Sequence, residues 1–294
     1  MKLIRLLIFI AVGAWASNLN TFATSPPAGG LQLWLKADAG VSTNASGHVT
    51  GWTDQSGNGR DLTGLIYGGG NPQYQPAYVA SAVNGKPALF FDNGADGFVD
   101  ALTRDNADVN TMWNASQLSM FIVKSQNTFD GDTTLQLNSP DDAFNRVNFH
   151  LSYFGTMYFD YGDITAGGRI SGGVPSGWLG NFHILDLYRN GGDGQINVDW
   201  RRAVTGTFTD SLGPTSAARL ALIPGAGDIA EILIYDHALS GPDRETVLSY
   251  LSDKYAIIPE PSFVALLGVG VLLLWRRRTD QIRNAKSEIR NKSE

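Results

Sequence analysis

From residue 31 onward the apolar positions fall in short runs, several with the period of two that sends alternate side chains to opposite faces of a pleated strand. Leu31–Lys36, Val49–Thr53, Ala88–Phe91, Leu118–Lys124, Thr133–Leu137, Asn145–Leu151 and Met157–Tyr161 are predicted strands. His183–Tyr188, Gln195–Arg201, Arg219–Ile223 and Glu231–Tyr235 follow. Turn-forming clusters such as Ser56-Gly57-Asn58-Gly59 and Asn190-Gly191-Gly192-Asp193-Gly194 separate them. Many short strands punctuated in this way predict an all-β fold, an antiparallel two-sheet jelly-roll sandwich rather than an alternating βα fold. In Met157–Tyr161 the alternation sends Met157, Phe159 and Tyr161 to one face and Tyr158 and Asp160 to the other.

The period changes near residue 240. Ser240 is placed to cap the amide of Asp243, and Asp243 to answer as a short version of the capping-box acid. Val247, Leu248, Leu251 and Tyr255 then share one face of a helix of about fifteen residues ending near Lys254. That helix is expected to pack on the sandwich.

The two ends read as addresses. Residues 1–23 open with Lys2 and Arg5, continue with the apolar run Leu6 to Ala14, and offer small-residue cleavage sites at Ala14-Trp15-Ala16 and Thr21-Phe22-Ala23. This is the layout of a cleaved secretory signal. A Pro/Gly linker, residues 24–30, leads into the predicted domain at 31–255. At the other end a spacer, residues 256–261, contains Pro259-Glu260-Pro261. An uncharged segment, 262–275, then precedes Arg276-Arg277-Arg278. Fourteen helical residues rise about 21 Å against a hydrocarbon thickness of about 30 Å. With Ala256–Ile258 added and the arginines reaching back to the interface, a single transmembrane helix is feasible. The arginines would then stay cytoplasmic. The basic tail, residues 276–294, repeats its own unit, Ile282 to Glu288 and again Ile289 to Glu294, and is assigned no role.

Pro259-Glu260-Pro261, the apolar segment and the arginine cluster, in that order, resemble the PEP-CTERM sorting signal of bacterial surface proteins. The resemblance implies export, anchoring in the inner membrane, processing by an exosortase, and a final place at the cell surface or outside it. The sixteen residues after Arg278 depart from the family, which usually ends soon after the arginines.

Composition sharpens this picture. The 34 Gly fit the turns, and the absence of Cys excludes disulfides, thiolate metal sites and thiol nucleophiles. Residues 24–261 carry 13 basic and 25 acidic side chains, 22 of them Asp. Such an acidic body repels phosphate backbones, so no nucleic-acid partner is expected.

Two further stretches are similar to concanavalin A-like, laminin G-like domains. One is Leu33-Trp34-Leu35-Lys36-Ala37-Asp38 followed by Val49 to Gly59. The other is Ile229 to Ser240, and Asn84 to Phe91 fits the same pattern. The resemblance implies two antiparallel sheets, carbohydrate or protein binding in many members, and calcium at the rim in some.

Candidate chemistry is sparse. Retaining and inverting glycosidases need two carboxylates flanking the scissile bond. Asp130 and Asp132 have suitable spacing but lie in a Gly-containing turn, and Asp160 and Asp163 flank Tyr161-Gly162, again turn-like. The histidines, His48, His150, His183 and His237, lack the close spacing of a zinc motif. For calcium, Asp92 and Asp96 in Asp92-Asn93-Gly94-Ala95-Asp96-Gly97 are the candidate ligands, although such loops build turns without metal. Sugar rings stack their C–H faces on aromatic planes, which nominates Trp113, Tyr158, Trp178 and Trp200, with Trp34 and Trp52 assigned to the core. The sequence therefore predicts non-catalytic binding of extracellular polysaccharide or another surface component. A glycan-cleaving hydrolase and a purely structural matrix protein are the alternatives.

Overall fold

The computed structural model describes residues 25–64, 74–92, 94, 99–105, 107–129, 133–137, 146–212 and 219–257. The signal, Asp96, Asp130, Asp132, Pro259, Glu260, Pro261, Arg276, Arg277, Arg278 and the whole apolar segment lie outside them. No helix among the described residues is long and apolar enough to cross a membrane.

Seventeen strands and one α-helix appear among the described residues. The strands are β1 (Leu31–Lys36), β2 (Val41–Thr43), β3 (Val49–Trp52), β4 (Leu62–Gly64), β5 (Ala77–Val83), β6 (Lys86–Phe91), β7 (Leu102–Asp105), β8 (Gln117–Lys124) and β9 (Thr133–Leu137). The second half comprises β10 (Arg146–Tyr153), β11 (Thr156–Gly162), β12 (Arg169–Gly173), β13 (His183–Asn190), β14 (Asp193–Val198), β15 (Arg201–Thr207), β16 (Arg219–Ile223) and β17 (Gly227–Tyr235), followed by α1 (Gly241–Tyr255). One sheet runs β15-β14-β13-β8-β17-β6-β5, and the other β12-β11-β10-β9-β16-β7-β4-β3-β2. All pairings are antiparallel. The nine-residue β17 shares one edge between two partners, β6 along Gly227–Ile229 and β1 along Glu231–Tyr235.

The two sheets bury different numbers of faces, and their sequences reflect it. The first sheet is covered on both sides, so β8 and β17 are almost continuously buried. Leu118, Met120 and Ile122 of β8 point into the inter-sheet core, while Phe121 and Val123 meet Val247, Leu248, Leu251 and Tyr255 of α1. The second sheet has only its inner face in that core. Its strands β10 and β11 therefore alternate, with Val147, Phe149, Leu151, Met157, Phe159 and Tyr161 inward. Arg146, Asn148, His150, Tyr158 and Asp160 are left on the opposite face.

The helix begins as its sequence requires. Ser240 is extended, accepts from the Asp243 amide at 3.3 Å and donates its hydroxyl to the Asp243 carboxylate at 2.7 Å. Beneath α1, fully buried Glu231 accepts from Trp34 Nε1 at 2.5 Å, Tyr255 OH at 2.7 Å, Lys254 Nζ at 2.7 Å and Tyr250 OH at 3.0 Å. Burial and this carboxylate push both tyrosine hydroxyls far above the ordinary phenol pKa. Trp52 is inter-sheet core as expected, but Trp34 is half-buried on the helix side, because it serves this cluster.

Three expectations need correction. Gln195–Arg201 is two strands, since Asp199 and Trp200, both at positive φ, turn the chain between β14 and β15. Five strands (β2, β4, β5, β7, β12) have no counterpart among the predicted ones, and β15 is touched only by the last residue of one. Residues 25–30 of the expected linker are built into the fold: Pro26 is buried, Tyr235 donates to the Pro27 carbonyl, and Gly30 at φ 69° lies where a Cβ would meet the His237 ring at 2.4 Å.

Candidate functional site

The outward face of β10, β11 and β12 carries an open cleft of about 350 Å³ lined by Arg146, His150, Tyr153, Tyr158, Ile164 and Arg169. Strand register assembles it. His150 stands opposite Tyr158, Asn148 opposite Asp160, and Asp160 opposite Arg169. Five residues from three strands thus become neighbours on one surface.

Asp160 anchors the cleft. Its side chain is fully buried and accepts from Arg146 Nε at 3.0 Å and Nη2 at 2.5 Å. It also accepts from Arg169 Nε at 2.5 Å and Nη2 at 2.7 Å. His150 Nε2 lies 3.8 Å away. Charge-assisted contacts of this kind fix both guanidiniums in orientation. Asp160 in return holds the Arg169 guanidinium even more firmly protonated than usual. A carboxylate that is fully buried and bound to two guanidiniums in this way serves as an anchor.

Aromatic rings surround the charged centre. Tyr153 lies 6.2 Å from Tyr158 and 4.9 Å from Phe154, in both cases edge to face. His150 sits 5.5 Å from Tyr153 and 6.0 Å from Tyr158. The Arg169 guanidinium occupies one face of Tyr158, at 4.6 Å from the ring centre. The open apolar planes are therefore those of Tyr153, 40% exposed, and Phe154, 67% exposed. Phe154 holds φ 48° in the two-residue β10–β11 turn, a conformation a bulky side chain adopts only at a cost.

The four aromatic residues nominated from sequence do not share a surface. Tyr158 lines the cleft. Trp178 is 2% exposed in the inter-sheet core, stacked 5.0 Å from the His183 ring. Trp113 is half-buried against that same core, and Trp200 is half-buried against the helix-side cluster. Tyr153, Phe154, Arg146 and Arg169 were not nominated. The alternation of Arg146-Val147-Asn148-Phe149-His150-Leu151 puts Arg146, Asn148 and His150 on the outward face, but a strand face that only meets water has the same polar composition, so the sequence carried no signal that singles them out.

The other candidate chemistry is taken up locally. Asp163 caps its own turn, and the Thr165 hydroxyl and amide, each at 2.7 Å, hold its carboxyl below the usual range. Asp54 accepts from the amides of Trp34, Ser56 and Arg60 and from the Ser56 hydroxyl, which makes its loop a hydrogen-bonded turn. Asp92 donates its amide to Asp100 at 2.7 Å. Among the described residues no three His, Cys, Asp or Glu side chains converge as a metal site. His183 bonds Asp199 at 2.6 Å and His237 bonds Asp236 at 2.9 Å, both as local structural pairs.

No family model matches the chain, and no curated protein matches it in sequence. Solved structures do. Domain 4 of AbnA, an extracellular GH43 arabinanase from Geobacillus stearothermophilus in complex with arabinotriose, is 17% identical with a TM-score of 0.50. The match covers 74% of this chain and 98% of that domain. A structure of botulinum neurotoxin type C, whose cell entry depends on interaction with two ganglioside molecules, is 11% identical with a TM-score of 0.51. That match covers 76% of this chain and 51% of the toxin chain. At such identities the likeness shows the fold.

Proposed function

We propose that this chain is an exported bacterial surface protein whose sandwich binds extracellular polysaccharide, without catalysis, in the cleft of β10, β11 and β12. The observation that carries the reading is exposed Tyr153, which lines the cleft together with two fixed guanidiniums and packs against exposed Phe154. Apolar planes for sugar C–H faces and rigid donors for hydroxyls are what a saccharide site requires. The arabinotriose-bound and ganglioside-dependent neighbours are glycan proteins on a similar fold, which supports the same direction. The occupied oxygens of Asp160 favour binding over hydrolysis, since hydrolysis needs a carboxyl free to give or take a proton.

The jelly-roll, laminin G-like assignment belongs to this proposal and is supported by two antiparallel sheets, one of them with the long β17 in its interior and β1 paired to β17. So do the secretory signal, the PEP-CTERM signal with exosortase processing, and the inner-membrane anchor at 262–275, all read from sequence. Retention of the purified domain on a panel of soluble and insoluble glycans tests the binding. At least one glycan retains the domain, and Tyr153→Ala abolishes most of that retention while leaving the thermal midpoint unchanged. Passage through every column unretained would contradict the reading.

A further inference from the structure

We infer that the saccharide taken by the β10–β12 cleft is acidic, its carboxylate or sulfate lying against Arg146 and Arg169; this rests on the glycan reading above. One guanidinium would neutralise Asp160. The cleft has two, so the second is surplus positive charge in a body that is acidic overall. The charges are also layered. Asp160 is fully buried behind, while the side chains of Arg146 and Arg169 are 14% and 29% exposed, so the cationic side faces the opening.

The donors are not exhausted. Each arginine spends Nε and Nη2 on Asp160, and among the described residues Nη1 of each has no hydrogen-bond partner. Among the same residues the hydroxyls of Tyr153 and Tyr158, which also line the cleft, have none either. Between Arg146 and His150 on the same strand face, Asn148 is 1% exposed with neither side-chain polar atom partnered. Two residues beyond His150, buried Ser152 has an unpartnered hydroxyl. Buried polar atoms are normally paired, so unpaired ones grouped on one face beside an open cleft mark a surface that is completed by something else. A guanidinium already fixed by Asp160 presents its remaining N–H groups at little further entropic cost, and its planar fork matches an anionic oxygen pair.

A neutral sugar needs no surplus cation. An acidic one does, all the more because the acidic body repels it at long range. The attraction therefore acts at contact, within the Debye length of about 8 Å at physiological salt.

Affinity electrophoresis with matched polymers tests the inference: polygalacturonate against its methyl ester, and dextran sulfate against dextran. At least one acidic polymer retards the chain roughly tenfold more strongly than its neutral counterpart, the ratio expected for one hydrogen bond to a charged group. Added salt and Arg146→Gln or Arg169→Gln, in whichever variant keeps the native melting transition, remove that preference. Equal retardation by the members of both pairs overturns the acidic inference and leaves the glycan reading standing. Failure of all four polymers and of the wider glycan panel removes both. A preference that survives folded arginine variants overturns the assignment to this cleft. The wild-type comparison of matched polymers needs no variant and decides the charge question by itself.

Discussion

The guanidinium of Arg169 stands 4.6 Å from the centre of the Tyr158 ring while its Nε and Nη2 hold Asp160, the residue two positions further along Tyr158's strand. One arginine thus ties an aromatic wall of the cleft to its buried anion, so the shape of the cleft and its charge depend on the same contacts.

Asp160→Asn is the direct probe of that dependence. It keeps the side-chain shape but leaves two adjacent guanidiniums without an anion. Breaking a buried ion pair costs about 3–5 kcal/mol, and the partial exposure of both arginines places the expected loss at the lower end, about 3 kcal/mol. Urea unfolding of the two proteins measures it. A change below about 0.5 kcal/mol, typical of an ordinary surface site, would mean that Asp160 does not organise the cleft.

Phe154 separates stability from binding. Its positive φ suits Asn far better than an aromatic residue, and relief of such strain is worth about 1 kcal/mol. Phe154→Asn should therefore raise the unfolding midpoint and at the same time weaken glycan retention. If the variant gains stability and binds as before, Phe154 is strained for some reason other than the ligand.

Asp186 gives a pH signature. Burial raises its pKa to about 6 despite the contact from Arg244 Nε at 2.6 Å, and its Oδ1 is buried without a partner. Because the folded state holds this proton more tightly than the unfolded chain, Asp186 favours folding increasingly as pH falls from about 6 towards 4. Above 6 its ionised form opposes folding. Two pKa units correspond to on the order of 2–3 kcal/mol. Asp186→Asn mimics the protonated form. Its stability relative to wild type should rise by that order between pH 4.5 and pH 7.5, as read from thermal melts at both values. A difference that is flat with pH, or falls with it, would refute the raised pKa.

Glu231 holds α1 to the sheet through three donors on the helix, Tyr250, Lys254 and Tyr255, and accepts a fourth hydrogen bond from Trp34 of β1. Glu231→Ala leaves Trp34, Tyr250, Tyr255 and Lys254 without their common acceptor and should cost about 3–5 kcal/mol. Hydrogen exchange localises the effect: the amides of α1 lose protection before those of β10 and β11. Uniform loss across the sandwich would mean that the helix and sheets unfold as one unit.

The strands of the site were legible where one face alone is buried. Val147, Phe149 and Leu151 alternate with Arg146, Asn148 and His150, and such a pattern has only one reading. β12 was not legible, because Gly172 and Gly173 look like loop and only the fold pairs them with β11. Arg169 consequently had no visible neighbour. The turn at Asp199-Trp200 lacks the Asn or Gly that usually marks positive φ, so β14 and β15 read as one strand. Trp178 misled for a different reason. Its nomination rested on residue type alone, and only the fold brings His183 flat against it in the core. The helix was clear throughout, since its cap and its apolar face are local features.

The most direct test of glycan binding at this surface is a titration of the isotopically labelled domain with a retained saccharide, followed by amide NMR. Saturable shifts concentrated at Arg146–Tyr158 and around Arg169, with the α1 amides unmoved, are the predicted result. Saturable shifts confined to another face of the sandwich would contradict the account.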